Sequence, residues 1–238
     1  MHSDFVFQYI NKVLRSNKQE TIWMHIEALR ADLKRNTAPI QALDLGAKKD
    51  EALRTVSSKV RATAIPPLYG KLLWRTANYF GAANILELGT GTGISALYLA
   101  SVPSVNRFIT LEGNPELAAI ANGMIDKLGL TNSEVIVGDF NKTLVEALLK
   151  IGKVDLVFID GDHRKQSTIS YYESILPYAH NDTILVFDDI NWSAEMQEAW
   201  QNIIARPEVT LSLDFYRMGM VFFRKEIRQP QHLQLYYW

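Results

Sequence analysis

From Asn84 onward the chain alternates short apolar runs with amphipathic stretches, and this alternation restricts the folds open to it. Residues 84–88 are followed by 94–101, 107–111 by 115–128, 134–137 by 143–150, 154–159 by 166–176, and 183–187 by 193–205. The runs lack regular polar alternation, as strands do when both faces are buried. Such strands, joined by helices, form a parallel sheet with right-handed crossovers and a helical layer on each side. The end of the chain differs. Residues 209–215 and 218–224 are separated only by Tyr216-Arg217, the spacing of an antiparallel hairpin. The expected architecture is therefore α/β, a doubly wound and mostly parallel sheet of seven strands with a C-terminal antiparallel hairpin and N-terminal helices.

The first part of the chain reads as helical. Phe5, Tyr9, Ile10, Val13 and Leu14, then Ile22, Ile26, Leu29 and Leu33, recur at three- and four-residue steps. The polar stretch 16–20 splits that pair. Residues 36–50, with Pro39 and Gly46, read as a connector. A further helix is expected over 51–61, and Pro66-Pro67 opens another that runs to Tyr79 and closes at Gly81. The organisation expected is an N-terminal helical cap or lid, residues 1–60, and a catalytic domain, residues 61–238.

Charge and composition exclude several functions. The 25 basic and 26 acidic residues leave a formal net charge of −1. That balance argues against nucleic acid or an anionic membrane as partner. The pairs Lys48-Lys49 and Arg224-Lys225 are short enough to be solvated surface. With no cysteine, there is no disulfide, thiolate metal site or cysteine nucleophile. No leader pattern or membrane-length apolar run is present in the sequence, so a cytoplasmic location is expected.

The chemistry starts at Ile85-Leu86-Glu87-Leu88-Gly89-Thr90-Gly91-Thr92-Gly93, where the first strand turns into its helix. Glycines let the backbone turn tightly and approach a ligand, and a following helix N-terminus favours an anionic group. A dinucleotide-binding turn has glycine at its first, third and sixth positions. Counted from Gly89, the sixth position is Ile94, so that pattern fails. Glu112 ends the next strand, where a carboxylate can accept both hydroxyls of a ribose. Gly138-Asp139-Phe140 follows the third strand. Taken singly, these features are equally a turn, a solvated strand end and a helix cap. Three consecutive strand ends in order are harder to assign to coincidence.

What remains at the turn, acidic-x-Gly-x-Gly-x-Gly, resembles motif I of the class I S-adenosylmethionine-dependent methyltransferases. Residues 65–200 resemble the catechol O-methyltransferase-like branch of that superfamily, which implies a Rossmann-like methyltransferase fold. Gly93-Ile94-Ser95-Ala96 is similar to the branch's Gly-Tyr-Ser-Ala, whose serine meets the methionine carboxylate. Gly113-Asn114-Pro115 is similar to the segment after its second strand. The resemblance implies that Glu87, Gly89, Thr90, Gly91, Gly93, Ser95, Glu112 and Gly113 hold S-adenosyl-L-methionine. It also implies that Asp139 and Phe140 flank the adenine, that Asp160 borders the cofactor, and that Ala64 and Ile65 line the methionine end.

Phe158-Ile159-Asp160-Gly161-Asp162-His163 follows the fourth strand and Val186-Phe187-Asp188-Asp189 the fifth, so their ends face the same crevice. Clustered carboxylates raise one another's pKa, and a hard cation is a common way to hold them ionised. By resemblance, Asp160, Asp188 and Asp189 would bind Mg2+ or another divalent cation. The family carries Asp-Asn after the fifth strand where this chain has Asp188-Asp189. His163 lies near the position of the branch's catalytic lysine, and histidine titrates near neutrality, which suits a general base acting beside Asp160. Asp162 is expected to face water. Trp192 could wall an acceptor pocket, whereas Trp74, Tyr79 and Trp200 read as core. The aromatic tail 233–238 packs on the domain or on the second copy in a homodimer.

The function expected is methyl transfer from S-adenosylmethionine to a hydroxyl of a small molecule, with N-methylation less favoured by the resemblance. A non-catalytic S-adenosylmethionine-binding protein and an NAD(P)-dependent oxidoreductase are the alternatives.

Overall fold

Five parallel strands form one half of the sheet, four of them buried on both faces and the fifth at the edge. The computed structural model describes residues 4–41 and 55–237. These strands are β1 (Asn84–Leu88), β2 (Arg107–Glu112), β3 (Ser133–Val137), β4 (Leu156–Ile159) and β5 (Ile184–Phe187). Every residue of β4 and β5 is buried. All five are parallel, in the order β3-β2-β1-β4-β5. The chain winds outward from β1 to β3 and then returns to β4, so the crevice at the switch point opens over the ends of β1 and β4.

The sheet has eight strands, one more than the sequence suggests. The hairpin of β6 (Leu211–Asp214) and β7 (Gly219–Phe222) is present, with β7 antiparallel to both β5 and β6. The extra strand, β8 (Gln231–Gln234), pairs in parallel with β6 at the edge. Its residues Gln-His-Leu-Gln alternate between half-buried and exposed, because an edge strand needs only one packed face. Hence β8 contains no apolar run to reveal it. Tyr237 then lies against Tyr69 and Phe215, at ring-centroid distances of 6.0 and 6.2 Å. The tail as far as Tyr237 packs on its own domain.

Helices α4 (Pro67–Phe80), α5 (Ile94–Ala100) and α6 (Pro115–Lys127) cover one face of the sheet. Helices α7 (Phe140–Ile151), α8 (Lys165–Ile175) and α9 (Ala194–Ile204) cover the other. Proline opens α4, and Gly81, at φ 64°, closes it in the left-handed conformation that a side chain resists. The N-terminal region forms α1 (Asp4–Tyr9), a π turn (Ile10–Leu14) and α2 (Thr21–Leu33), broken where the polar stretch predicts. The helix expected over 51–61 appears as α3 (Val56–Thr63), started by a capping box between Thr55 and Ser58. Gly46, Lys48, Lys49, His2, Trp238 and the start of that expected helix lie outside the described residues.

The N-terminal helices share the core of the helical face. Tyr9 is fully buried, with its hydroxyl 2.8 Å from Thr76 Oγ1. Trp23 meets Trp74 edge-on at 5.4 Å. The Glu27 carboxylate accepts from Tyr98 at 2.8 Å and from Arg30 Nε at 2.9 Å, tying α2 to α5. Trp74 and Trp200 are core residues, as expected. Tyr79 is not: it is 37% exposed and rests edge-on against Phe80, on the side of α4 away from the buried Ala77. Among the described residues, no helix is long and apolar enough to cross a membrane.

Gly70 sets the approach of α4 to α5, since a Cβ there would stand 2.5 Å from a ring carbon of the fully buried Tyr98. Alanine favours a helix over glycine by about 1 kcal/mol, but overpacking costs about 1–3 kcal/mol. Gly70→Ala is expected to lower stability by up to about 2 kcal/mol, read from the urea midpoint. An unchanged or raised midpoint would mean that Tyr98 gives way.

Candidate active site

The glycine turn is shaped by positive backbone dihedrals. Gly89, Gly91 and Gly93 have φ of 99°, 54° and 88°. A Cβ at Gly89 would run into the Asp160 carbonyl oxygen, so glycine is what lets β1 and β4 end side by side. The turn is pinned to β2, with Gly89 and Thr90 N–H both donating to the Leu111 carbonyl. At Gly91 a Cβ would meet nothing within 4 Å, which leaves open space above the turn.

Glu87 lies under this turn. Its side chain is completely buried, on the sheet face shared with Ile85. Thr110 donates to Oε2 at 2.6 Å, and Thr90 lies 2.6 Å from Thr110, forming a buried hydroxyl chain. Oε1 has no hydrogen-bond partner among the described residues. Burial pushes the carboxyl up to about 7, and the Ser95 and Thr110 hydroxyls offset this in part. Ser95, itself buried, does so without completing a hydrogen bond to Oε1.

Glu112 receives the Gly91 N–H on Oε2 at 2.7 Å and the Asn114 N–H on Oε1 at 2.8 Å. Burial raises its pKa, while the backbone donors of Asn114, Gly91 and Gly113 and the charge of Lys59 pull it down. Each oxygen keeps a second acceptor site for a ribose hydroxyl. Asp139 caps α7, accepting from Asn141 N–H at 2.9 Å, so the cap alternative holds for it whatever else it does. Phe140 lies beside Gly161, where a Cβ would strike its ring, and meets Tyr171 at 6.2 Å. Ile65 is only 2% exposed and belongs to the core, leaving almost no side-chain surface for a ligand.

The ends of β4 and β5 bring the acidic residues together. His163 Nε2 stands 3.6 Å from Asp160 Oδ1 and 3.9 Å from Asp189 Oδ2. Burial and the charges of Asp188, Asp189 and Glu87 raise the Asp160 carboxyl well above the usual range, against the pull of Arg217. Asp188 is fully buried, and both its oxygens are taken by Arg217, Nε to Oδ1 at 3.1 Å and Nη2 to Oδ2 at 2.8 Å. Burial raises Asp188 as well, and Arg217 counters it. Asp189, at φ 53°, lies 3.6 Å from the same Arg217 nitrogen. Asp162 accepts from Ser167 at 2.5 Å and pairs with Arg164 at 3.3 Å, so it is engaged locally rather than only by water.

As they are arranged, the three aspartates do not converge as a set of cation ligands. Among the described residues, no group of three His, Asp or Glu side chains converges in metal-ligating geometry. The physical reason is Arg217, whose guanidinium already spans Asp188. A Mg2+ ion demands near-octahedral oxygen ligation, which the residues as arranged do not offer.

Arg217 and Tyr69 are the residues that sequence reasoning missed. Arg217 read as half of a hairpin turn. Because β6 runs parallel to β8 and antiparallel to β7, which opposes β5, that turn emerges at the carboxyl edge of β5. Tyr69, after the Pro66-Pro67 helix start, donates to the Phe215 carbonyl at 3.3 Å and lies under the Arg217 guanidinium at 6.0 Å. The usable signal was a cation in a turn one strand away from Asp188-Asp189. Trp192 is 74% exposed and so is not a core residue.

Comparison with known proteins bears on the family and the fold. A family described as a methyltransferase domain matches residues 86–190, which include the glycine turn, Glu112, Asp139, Asp160, His163, Asp188 and Asp189. The catechol O-methyltransferase of Niastella koreensis is 34% identical over 157 residues, covering 62% of this chain and 69% of that protein. The catechol O-methyltransferase of Mycobacterium tuberculosis is 33% identical over 129 residues, covering 53% of this chain and 57% of that protein. An O-methyltransferase from Bacillus cereus, solved in complex with SAH, superposes with a TM-score of 0.62 at 24% identity, over 92% of this chain and 97% of its own. The O-methyltransferase TomG from Streptomyces achromogenes, solved in complex with SAM, gives 0.62 at 19% identity, over 93% and 95%. The structural likenesses, at this identity, speak for the fold.

The raised Glu87 carboxyl has a consequence for stability. A group whose pKa rises on folding favours the fold fully below its unfolded value, here 4.5, and the advantage is lost as pH climbs through about 7. Between pH 5 and 8 the melting temperature of the wild type is expected to fall relative to that of Glu87→Gln. Parallel curves would show that the carboxyl ionises in its ordinary range.

Proposed function

We propose that this chain, which belongs to the catechol O-methyltransferase family of S-adenosylmethionine-dependent methyltransferases, methylates a hydroxyl of a small-molecule acceptor. Family membership supplies the reaction class; the residue roles below are our reading, which the site's geometry supports. The observation that carries them is the turn from Glu87 to Gly93, where a buried carboxylate oxygen without a partner lies under an open glycine cradle. An ammonium such as that of a methionine moiety is the kind of donor this oxygen lacks. Glu112 is suited to the ribose and the Asp139–Phe140 pair to the adenine. When bound, S-adenosylmethionine supplies an electrophilic methyl group on a sulfonium sulfur.

His163 is placed to take the proton of the acceptor hydroxyl. The imidazolium so formed would lie within 4 Å of the Asp160 and Asp189 carboxylates, which stabilise its charge. Orientation of the acceptor against the cofactor does most of the remaining work, and such positioning is worth up to about 7–11 kcal/mol. The N-terminal helices are proposed as the roof of the cofactor site. Gln41 N–H donates to Glu116 at 2.7 Å, the Gln41 carbonyl accepts from Asn114 at 3.0 Å, and the charge of Lys59 acts on Glu112.

The test is transfer of a deuterated methyl group from S-adenosylmethionine to a panel of catechols and phenols, followed by mass spectrometry. His163→Ala is expected to reduce kcat by about 10²–10⁴-fold with the affinity for S-adenosylhomocysteine kept. Loss of that affinity in His163→Ala would reassign the residue to binding. Glu112→Ala is expected to weaken S-adenosylhomocysteine by about 10–100-fold, as hydrogen bonds to a charged group are worth about 1.5–3 kcal/mol. Stabilisation by NAD but not by S-adenosylhomocysteine would sink the reading. Binding without turnover on any acceptor would favour a non-catalytic binding protein.

A further inference from the structure

The carboxyl edge of the sheet already holds a cation where the family resemblance places a metal. Arg217 is built into this position rather than resting on it. Its N–H donates to the Phe215 carbonyl at 2.9 Å, and its own carbonyl accepts from Ile190 N–H at 3.1 Å. Asn191 Nδ2 donates to the Tyr216 carbonyl at 2.6 Å, and Tyr69 holds Phe215 from the other side. Tyr216 sits at φ 69° with its N–H on Asp214 Oδ1 at 2.6 Å, which turns the chain so that residue 217 faces the β5 loop. The side chain then grips the fully buried Asp188 through two parallel hydrogen bonds and reaches Asp189 at 3.6 Å.

Such a fork matches a carboxylate in plane and leaves a divalent ion facing a fixed positive charge within the same shell. The family's Asp-Asn after the fifth strand has become Asp188-Asp189, which adds one negative charge; Arg217 adds one positive charge beside it. His163 Nε2 lies 3.6 Å from Asp160 and 3.9 Å from Asp189, between the two remaining carboxylates. Resting on the methyltransferase reading, we infer that Arg217 takes the place of the divalent cation, holding Asp188 and Asp189 as a positioning residue, so that the chain works without a metal.

The test is calorimetric titration of Mn2+ into the full chain saturated with S-adenosylhomocysteine. The wild type is expected to show no saturable Mn2+ binding, and its methyl transfer is expected to be unchanged by EDTA. Arg217→Ala, which leaves the three carboxylates uncompensated, is expected to bind Mn2+ at least tenfold more tightly than the wild type. Arg217→Ala/Asp188→Asn is expected to lose that gain. One Mn2+ bound per wild-type chain, or EDTA inactivation reversed by Mg2+, would overturn the inference. So would an Arg217→Ala protein that binds S-adenosylhomocysteine but takes up no Mn2+. Should Arg217→Ala fail to fold, Arg217→Gln serves in its place, and the wild-type titration decides by itself. Failure of the wild type to bind S-adenosylhomocysteine would instead remove the methyltransferase reading, an outcome separate from the metal result.

Discussion

Burial of β1, β2, β4 and β5 on both faces restricts where this protein can place polar chemistry. A central strand has no solvent-facing side, so charged groups must emerge at strand ends or be satisfied inside. Glu112, Asp160, Asp188 and Asp189 lie at or just beyond the carboxyl ends of β2, β4 and β5, Asp188 being buried there and satisfied by Arg217. Glu87 takes the second course. It lies within β1 with no exposed surface, and its satisfaction is incomplete: one oxygen has the Thr110 hydroxyl and the other none. A buried polar atom left in that state is costly, and here it lies beside the glycine turn, where Gly91 faces open space.

The acidic edge is held together by contributions from distant parts of the chain. Arg217 from the β6–β7 turn compensates Asp188, Tyr69 from α4 steadies that turn, and His163 lies between Asp160 and Asp189. Tyr69 is placed by the start of α4, and the next residue, Gly70, lets α4 approach α5. The tail through Tyr237 closes on Tyr69 and Phe215. Helix packing, hairpin geometry and site charge are thereby joined through a few contacts.

Much of this was legible beforehand, and the pattern of what was not has a physical basis. The helix ends at Gly81, the break before α2 and the parallel core strands are written in local composition, since each depends on nearby residues. The hairpin was legible from its spacing. The β8 strand was not, because pairing at an edge is decided by the partner's backbone more than by its own side chains. Tyr79 shares the apolar character of its neighbours, and only the rotation of α4 on the sheet turned it outward.

The sequence by itself determined the order of strands and helices, the glycine turn and the acids at three successive strand ends, because these follow from periodicity and from residue types at fixed spacing. It also carried the likeness that the family comparison bears out over residues 86–190. The tertiary structure alone decided which charges meet. Asp188 and Arg217 are 29 positions apart, and nothing local says that an antiparallel turn will deliver a guanidinium to that carboxylate. That pairing, as much as the aspartates themselves, sets the charge presented at this edge, because a carboxylate's chemistry depends on the charge beside it.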